Sequence, residues 1–448
     1  MIDREHLSAL RETELARFVA RNPLAASHAE SRAPHWHEGV PFHWMRDWPS
    51  PFPLVVAKAE GAVLTTVDGQ QLDDFCLGDT AAMFGHSPLA VAQAIARQAA
   101  AGISFMLPTA EVDRVGELLA KRFGLPFWQV TTTASEANRA VIRWCRGITG
   151  RRKILIFNGC YHGAVDDVFV DLRNGVPETR VSLVGQVTDL TQTTTAIEFN
   201  DVAALEAALA TGEYACVLAE PVMTNVGMVL PEPGFLDRVQ AVTKATGTIL
   251  VWDETHTISS GWGGHSGTRG PAGDMLVIGK SIGGGVPCAV FGFSAEVAER
   301  MQKARAGLPP GHSGIGTTLS ANALAIAAMR AMLESVMTPG AYDHMTLLAQ
   351  QLVEGLRAVI AAHALPWHVT NVGARVELIC NASAPRNGTE ARAAMDHTLE
   401  ALLHLMLVNR GSLLAPFHNM MLVSPETKPD QVARLIANFA CVVEEMSG

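Results

Sequence analysis

The sequence predicts an α/β fold, a mainly parallel sheet covered on both faces by helices, joined to a smaller α+β domain. Apolar, β-rich runs recur at 128–132, 153–157, 216–219, 248–252, 275–278 and 289–293, with helical periodicity between most of them. Such alternation threads parallel strands through crossover helices and leaves the carboxyl ends of the strands as the ligand-binding edge. From about residue 335 the pattern changes to long helices, at 341–362, 389–408 and 428–446, around short strands at 375–380 and 420–423. The length of 448 residues also exceeds one ordinary domain.

In chain order, an amphipathic opening helix leads into residues 22–53, where Pro, His and Trp crowd together and predict an irregular arm. Residues 54–75 alternate around a Val-Asp-Gly turn and predict a short hairpin or meander. Helices are expected at 88–101 and 111–123, ahead of the first long strand. These elements divide the chain into 1–75, an arm and a β segment of the small domain; 76–335, the large domain; and 336–448, the rest of the small domain.

Composition removes several functions. With 34 basic and 44 acidic residues the net charge is −10, which disfavours polyphosphate partners, so no nucleic acid is expected. At 48% hydrophobic and 17% charged residues the chain is expected to fold rather than stay disordered. The charged start lacks the apolar centre of a signal peptide, and no run of about 18 apolar residues occurs. A cytoplasmic protein outside the membrane is therefore expected. Seven widely spaced cysteines without a Cys-x-x-Cys pair read as reduced core residues. His35 and His37 flank Trp36 in a loop-like segment and read as solvated or core-lining, so no metal is expected.

Chemistry concentrates at three places. Lys280 ends the apolar run Met-Leu-Val-Ile-Gly and precedes a glycine-rich stretch. An amine at such a strand end is either a Schiff-base nucleophile or a salt-bridged structural lysine. Asp253 ends another apolar run, so the two charges could share one rim, as cofactor-binding groups or as a direct ion pair. Thr133 followed by Glu136 is a capping-box signature for a helix starting at Ala134, whose first N–H groups could seat a phosphate. Together they suit pyridoxal 5′-phosphate: an amine for its aldehyde, a carboxylate for its ring nitrogen and a helix end for its phosphate.

The segments AEGAVLTTVDG, SEANRAVIRWCRGITGRRKILIFNGCYHG, AEPVMTNVGMVLPEPGFLDRVQ, IGKSIGGGVPCAVFG and TTLSANALA resemble, in order and spacing, the class III aminotransferases of fold type I, closest to the glutamate-1-semialdehyde aminomutase branch. The resemblance implies a large domain with a seven-stranded type of sheet and pyridoxal 5′-phosphate as cofactor. It makes Lys280 the cofactor-bearing lysine and Asp253 the partner of the ring nitrogen, and gives Ala134 and Ser135 to the phosphate. Tyr161 and Thr255 fall on the two ring faces, and Glu220 and Asn225 near the ring hydroxyl. Thr318 matches a threonine that reaches the phosphate of a partner subunit, which implies a homodimer with shared sites. Arg46 matches a carboxylate-binding arginine of the arm. The chain departs from the family at TTTASEA, at DETHTISSGWGG, which brings His256 towards the substrate side, and at APFHNMMLVS, which lacks the glutamate of the aminomutase loop.

The leading expectation is a transaminase that moves an amino group from a small amino donor to a keto acceptor through a Lys280 Schiff base. The alternative is an isomerase on the same scaffold, an aminomutase or an amino-acid epimerase. A noncatalytic cofactor-binding regulator would carry an added DNA-binding segment, which the acidic arm does not resemble.

Overall fold

A computed structural model describes residues 4–268, 270 and 272–447. Its contacts divide the chain into two compact units, one made of Met1–Pro88, Gly340–Ala384 and Ala394–Gly448, the other of Leu89–Pro339 and Pro385–Ala393.

The first unit opens with helices α1 (Arg4–Arg21) and α2 (Pro23–Arg32). The second corrects the expectation of an irregular arm from residue 22. Pro23 occupies the first helical position, where its missing N–H costs nothing and its fixed φ favours the turn, so the proline starts a helix instead of breaking one. Only the stretch after it is irregular, relieved by short turns at His37–Gly39 and His43–Arg46. Strands β1 (Val56–Glu60), β2 (Val63–Thr66) and β3 (Gln71–Asp74) form the expected antiparallel meander.

The second unit contains α3 (Leu89–Ala101), α4 (Glu111–Phe123), β4 (Phe127–Thr131), α5 (Ala134–Thr149) and β5 (Lys153–Phe157). After the hairpin β6 (Val170–Arg173) and β7 (Val176–Thr179) come β8 (Thr194–Ile197), α6 (Val202–Ala210), β9 (Tyr214–Ala219), α7 (Phe235–Thr246) and β10 (Ile249–Asp253). Strands β11 (Met275–Ile278) and β12 (Ala289–Phe293) and helices α8 (Ala295–Ala306) and α9 (Ala323–Ala331) complete it.

The order of its seven-stranded sheet is β4-β12-β11-β10-β9-β5-β8. Strand β12 runs antiparallel to both neighbours, and the other pairings are parallel. Every residue of β9, β10, β11 and β12 is buried, which is why these strands read as unbroken apolar runs rather than alternating ones. Because β4 is antiparallel to β12 and β12 to β11, β4 points the same way as β11. The segments after β4, β5, β9, β10 and β11 therefore all leave from one edge.

The first unit resumes with α10 (Pro339–Ala362), β13 (His368–Val372) and β14 (Arg375–Ile379). The helix expected over 389–408 is broken into α11 (Gly388–Ala394) and α12 (His397–Asn409), because Asp396 caps the second by accepting from Leu399 N at 3.1 Å. Strands β15 (Ser412–Leu413) and β16 (Met420–Leu422) and helix α13 (Pro429–Ser447) follow. Strand β15 pairs with β3, and β16 with β14, so segments from both ends of the sequence share one unit. All seven cysteines are free thiols, but Cys441 is exposed on α13, against its reading as a core residue. Among the described residues no helix is long and apolar enough to cross a membrane.

Gly292 in β12 faces Trp128 across the ladder, and a Cβ there would lie 2.6 Å from the indole. Gly292→Ala is expected to cost about 1–3 kcal/mol by overpacking. In a Trp128→Ala background that cost should vanish, as compared by denaturant midpoints; an equal cost in both backgrounds would place the strain elsewhere.

Candidate active site at the carboxyl edge of the large sheet

Asp253 is the last residue of β10, pairs in register with Val277 of β11, and is 3% exposed. Three residues after Val277 comes Lys280, at the left-handed φ of 51°. A non-glycine residue there is held at a cost of order 1 kcal/mol, the kind of strain that a surrounding fold maintains at functional positions. Glu254 N donates to Val277 O at 2.8 Å and locks the two strand ends together. Lysine and aspartate thus share the rim, as the sequence suggested, yet each has a different neighbour. Lys280 Nζ lies 3.0 Å from His256 Nε2, whereas Asp253 Oδ2 accepts from Asn138 Nδ2 at 2.8 Å and lies 2.9 Å from His162 Nδ1.

His162 and Asn138 were not singled out from the sequence. Asn138 is a polar residue on the apolar stripe of α5 and is fully buried, which is the signal that could have found it. His162 adjoins Tyr161 in a motif read only for its aromatic ring. Burial alone would raise the Asp253 carboxyl, but His162, Thr255 and Asn138 outweigh it and hold the group below its ordinary 3.8. Burial would lower His162, and its interactions with Cys160 and Asp253 reverse that and hold it well above 6.5. The result is a buried ion pair with His162 as donor.

The helix start that the sequence offered as a phosphate seat is the capped start of α5. Thr133 caps the helix, accepting from Glu136 N at 3.2 Å. The returning half of the box is displaced by one residue from the expected pattern: Glu136 Oε2 accepts from Thr132 N at 2.8 Å and Thr132 Oγ1 at 2.7 Å. The amides of Ala134 and Ser135 open the helix and have no intrahelical carbonyl. Ser135 Oγ accepts from Ala164 N at 3.0 Å, which leaves its own proton to donate. Gly163 makes this approach possible, since a Cβ on it would stand 2.2 Å from Ser135 Oγ and its φ is +87°.

Gly279, Ala134 and Thr255 converge between this seat and the rim. A Cβ on Gly279 would lie 2.8 Å from Ala134 Cβ and 3.5 Å from Thr255 Oγ1. Thr255 Oγ1 is buried and lacks a hydrogen-bond partner among the described residues. Tyr161 is 43% exposed in the loop after β5. Glu220, directly after β9, is buried and accepts from Thr224 Oγ1 at 2.5 Å. Asn225 ties its loop to the one after β5, donating to Gly159 O at 3.0 Å. Thr318 is exposed, in a turn whose Ser320 Oγ donates to Glu136 Oε1 of the same chain at 2.8 Å. Arg46, in the first unit, is exposed and lies 3.4 Å from Glu38.

This donor set fits pyridoxal 5′-phosphate. A carboxylate offers about four acceptor positions. His162 and Asn138 take two on Asp253 Oδ2, and Thr255 N takes one on Oδ1 at 3.1 Å, which leaves Oδ1 able to receive one more N–H.

The ion pair makes a pH prediction on cofactor-free protein. A carboxyl held below 3.8 stabilises the fold above that value and ceases to as pH falls through its lowered folded value. A histidine held above 6.5 stabilises fully below that value and loses its contribution only as pH rises through its raised folded value. Asp253→Asn should therefore cost about 1–3 kcal/mol at neutral pH. The gap to the native protein should close on acidification below 3.8. Denaturant midpoints across pH check this, and a gap independent of pH would contradict it.

Comparison with known proteins places these features in a family. The family pattern Aminotransferase class-III matches residues 45–425. A glutamate-1-semialdehyde 2,1-aminomutase of Neisseria meningitidis is 31% identical over 401 residues, 88% of this chain and 92% of that protein. The crystal structure of a glutamate-1-semialdehyde-aminomutase from Pseudomonas aeruginosa PAO1 is 48% identical over 99% of both chains, with a TM-score of 0.97, and a lysine-to-alanine variant of it was crystallised in complex with PMP. An omega-transaminase from Sphaerobacter thermophilus is 27% identical over 96% of this chain and 100% of its own, with a TM-score of 0.86. The chain thus belongs to the class III aminotransferase family of fold-type I enzymes, and its cofactor is pyridoxal 5′-phosphate.

Proposed function

We propose that this protein is an isomerase of the 2,1-aminomutase type, which moves an amino group between neighbouring carbons of one small molecule. The observation that carries the reading is likeness along the whole chain: 48% identity to a structure described as an aminomutase, against 27% to one described as a transaminase. This reverses the order in which the sequence ranked the two reactions. The transaminase is the second reading, supported by the shared fold at a TM-score of 0.86.

Within residues 76–335, which we assign to the cofactor domain, Lys280 is the group that holds the cofactor aldehyde and, once released, carries protons to and from the substrate carbon. Bound pyridoxal phosphate supplies an electron-withdrawing ring that accepts the electron pair left when a substrate bond to hydrogen breaks. Asp253, kept ionised by His162 and Asn138, holds a proton on the ring nitrogen. Ala134 and Ser135 bind the phosphate, Tyr161 and Thr255 confine the ring, and Glu220 and Asn225 border its hydroxyl. His256, 3.0 Å from the Lys280 amine, is set to accept a hydrogen bond from it and to meet the substrate. Arg46 is assigned to a substrate carboxylate on the family resemblance. We also propose a cytoplasmic homodimer in which Thr318 reaches the partner's phosphate; its exposure in the single chain supports this.

Borohydride reduction of the holoenzyme should fix the cofactor on the Lys280 peptide, and a label on another lysine would remove the foundation of the proposal. Holoenzyme given glutamate-1-semialdehyde and no keto acid should convert it to the isomeric amine over many turnovers. Conversion that stops near one equivalent per site and resumes only with added 2-oxo acid would establish the transaminase instead.

A further inference from the structure

A cavity of about 410 Å³ lies within the second unit, walled by α5, the end of α8 and the loop that follows it. Three guanidiniums line it. Arg139, Arg143 and Arg146 are spaced by four and then three residues, so they stack on one face of α5. Among the described residues Asp167 is the one acid in the lining. The chain as a whole carries a net charge of −10, so this positive excess is local.

The three arginines are not equally committed. Arg146 is half-buried and already engaged: its Nη2 donates to Asp167 Oδ1 at 2.8 Å and its Nε to Arg152 O at 2.9 Å. Arg139 and Arg143 are exposed, and neither makes a hydrogen bond or ion pair among the described residues. Like charges four apart on a helix repel, and a pair left to solvent relieves this by splaying apart. Arg143 is held instead. Its Nη1, Cζ and Nη2 lie 3.0, 3.1 and 3.4 Å from where a Cβ on Gly314 would stand, so the guanidinium lies flat across that glycine. Gly314 has a φ of +74°, and its N–H donates to His312 Nδ1 at 2.9 Å, a turn that offers bare backbone to the arginine. The N–H edges of Arg143 are left without a partner in the chain.

Charge and lining select the ligand. Three guanidiniums against one carboxylate leave two positive charges. A phosphate monoester carries about −1.5 to −2 at neutral pH on one compact head, whose oxygens match the forks of arginine. The rest of the lining includes Trp144, Leu308 and Ile315, which suit an aromatic or hydrocarbon body. A short dicarboxylate spreads the same charge over two ends and has no such body. We propose that this cavity binds a small phosphate monoester, its head held by Arg139 and Arg143 and its apolar body set against Trp144 and Leu308. The site is separate from the phosphate seat assigned to the cofactor, because Arg143 stands nine residues beyond Ala134 on α5, about 13 Å of helix rise.

The test is titration calorimetry on the holoenzyme with phenyl phosphate at about pH 8, where the ester is doubly charged. Phenyl sulfate serves as a singly charged isostere, inorganic phosphate as a head without a body, and succinate as a dianion of another shape. Phenyl phosphate should bind at least about tenfold more tightly than each of the three, the preference expected of an added charge-assisted hydrogen bond. It should do so without changing the cofactor's absorbance. Arg139→Gln and Arg143→Gln, both at exposed positions, should each weaken it by about tenfold and leave circular dichroism and cofactor content intact. Asp167→Asn removes the opposing charge and releases Arg146, so it should tighten binding, a gain that misfolding does not produce. Phenyl phosphate that binds no better than any of the three comparison anions, an affinity unchanged in both arginine variants, weaker binding in Asp167→Asn, or displacement of the cofactor would overturn the proposal.

Discussion

A carboxylate taken fully out of water costs several kcal/mol unless other charges and donors replace its hydration. Asp253 is in that position, at the end of a strand buried on both faces, and its neighbours are arranged to meet the demand. Asn138 arrives from the first turns of α5, His162 from the loop after β5, and the Thr255 amide from the chain just beyond. Satisfying one side chain therefore ties the end of β10 to two segments that lie 115 and 91 residues earlier in the chain. The same arrangement leaves the group ionised, as a partner for a protonated ring nitrogen must be.

The rest of the site follows from where those segments are obliged to go. Fixing His162 against Asp253 brings Gly163 against Ser135, and the missing side chain of Gly163 lets the loop pass close enough for Ala164 N to reach the serine hydroxyl. Pairing β10 with β11 sets Lys280 on the same edge, at a backbone angle ordinary residues avoid. The positive end of α5, the amine and the carboxylate are then separate points around one space instead of one collapsed ion cluster.

Much of this was legible in the residues. The apolar runs that became β5, β11 and β12 have the expected limits, because strands buried on both faces leave a continuous signal. Strand β8 was missed because Thr194–Ile197 is short and half threonine, and α2 because Pro23 marks a start in the fold and a break in a one-dimensional pattern. Within the site, Lys280 and Asp253 stand out as charges that end apolar strands. His162 does not, since its importance lies in whom it touches, and a contact between α5 and a loop some twenty residues later has no periodicity to betray it; Asn138 shows only as a polar residue on an apolar stripe. Ser320 reaching Glu136 is likewise invisible until the chain is folded.

The proposed chemistry depends on the state of a single proton, so the direct measurement is nitrogen-15 NMR of holoenzyme reconstituted with ring-labelled pyridoxal phosphate. A shift in the protonated range at neutral pH, moving to the unprotonated range in Asp253→Asn, is the result predicted. An unprotonated ring nitrogen in the native protein, or a protonated one that survives the substitution, would contradict the role given to Asp253.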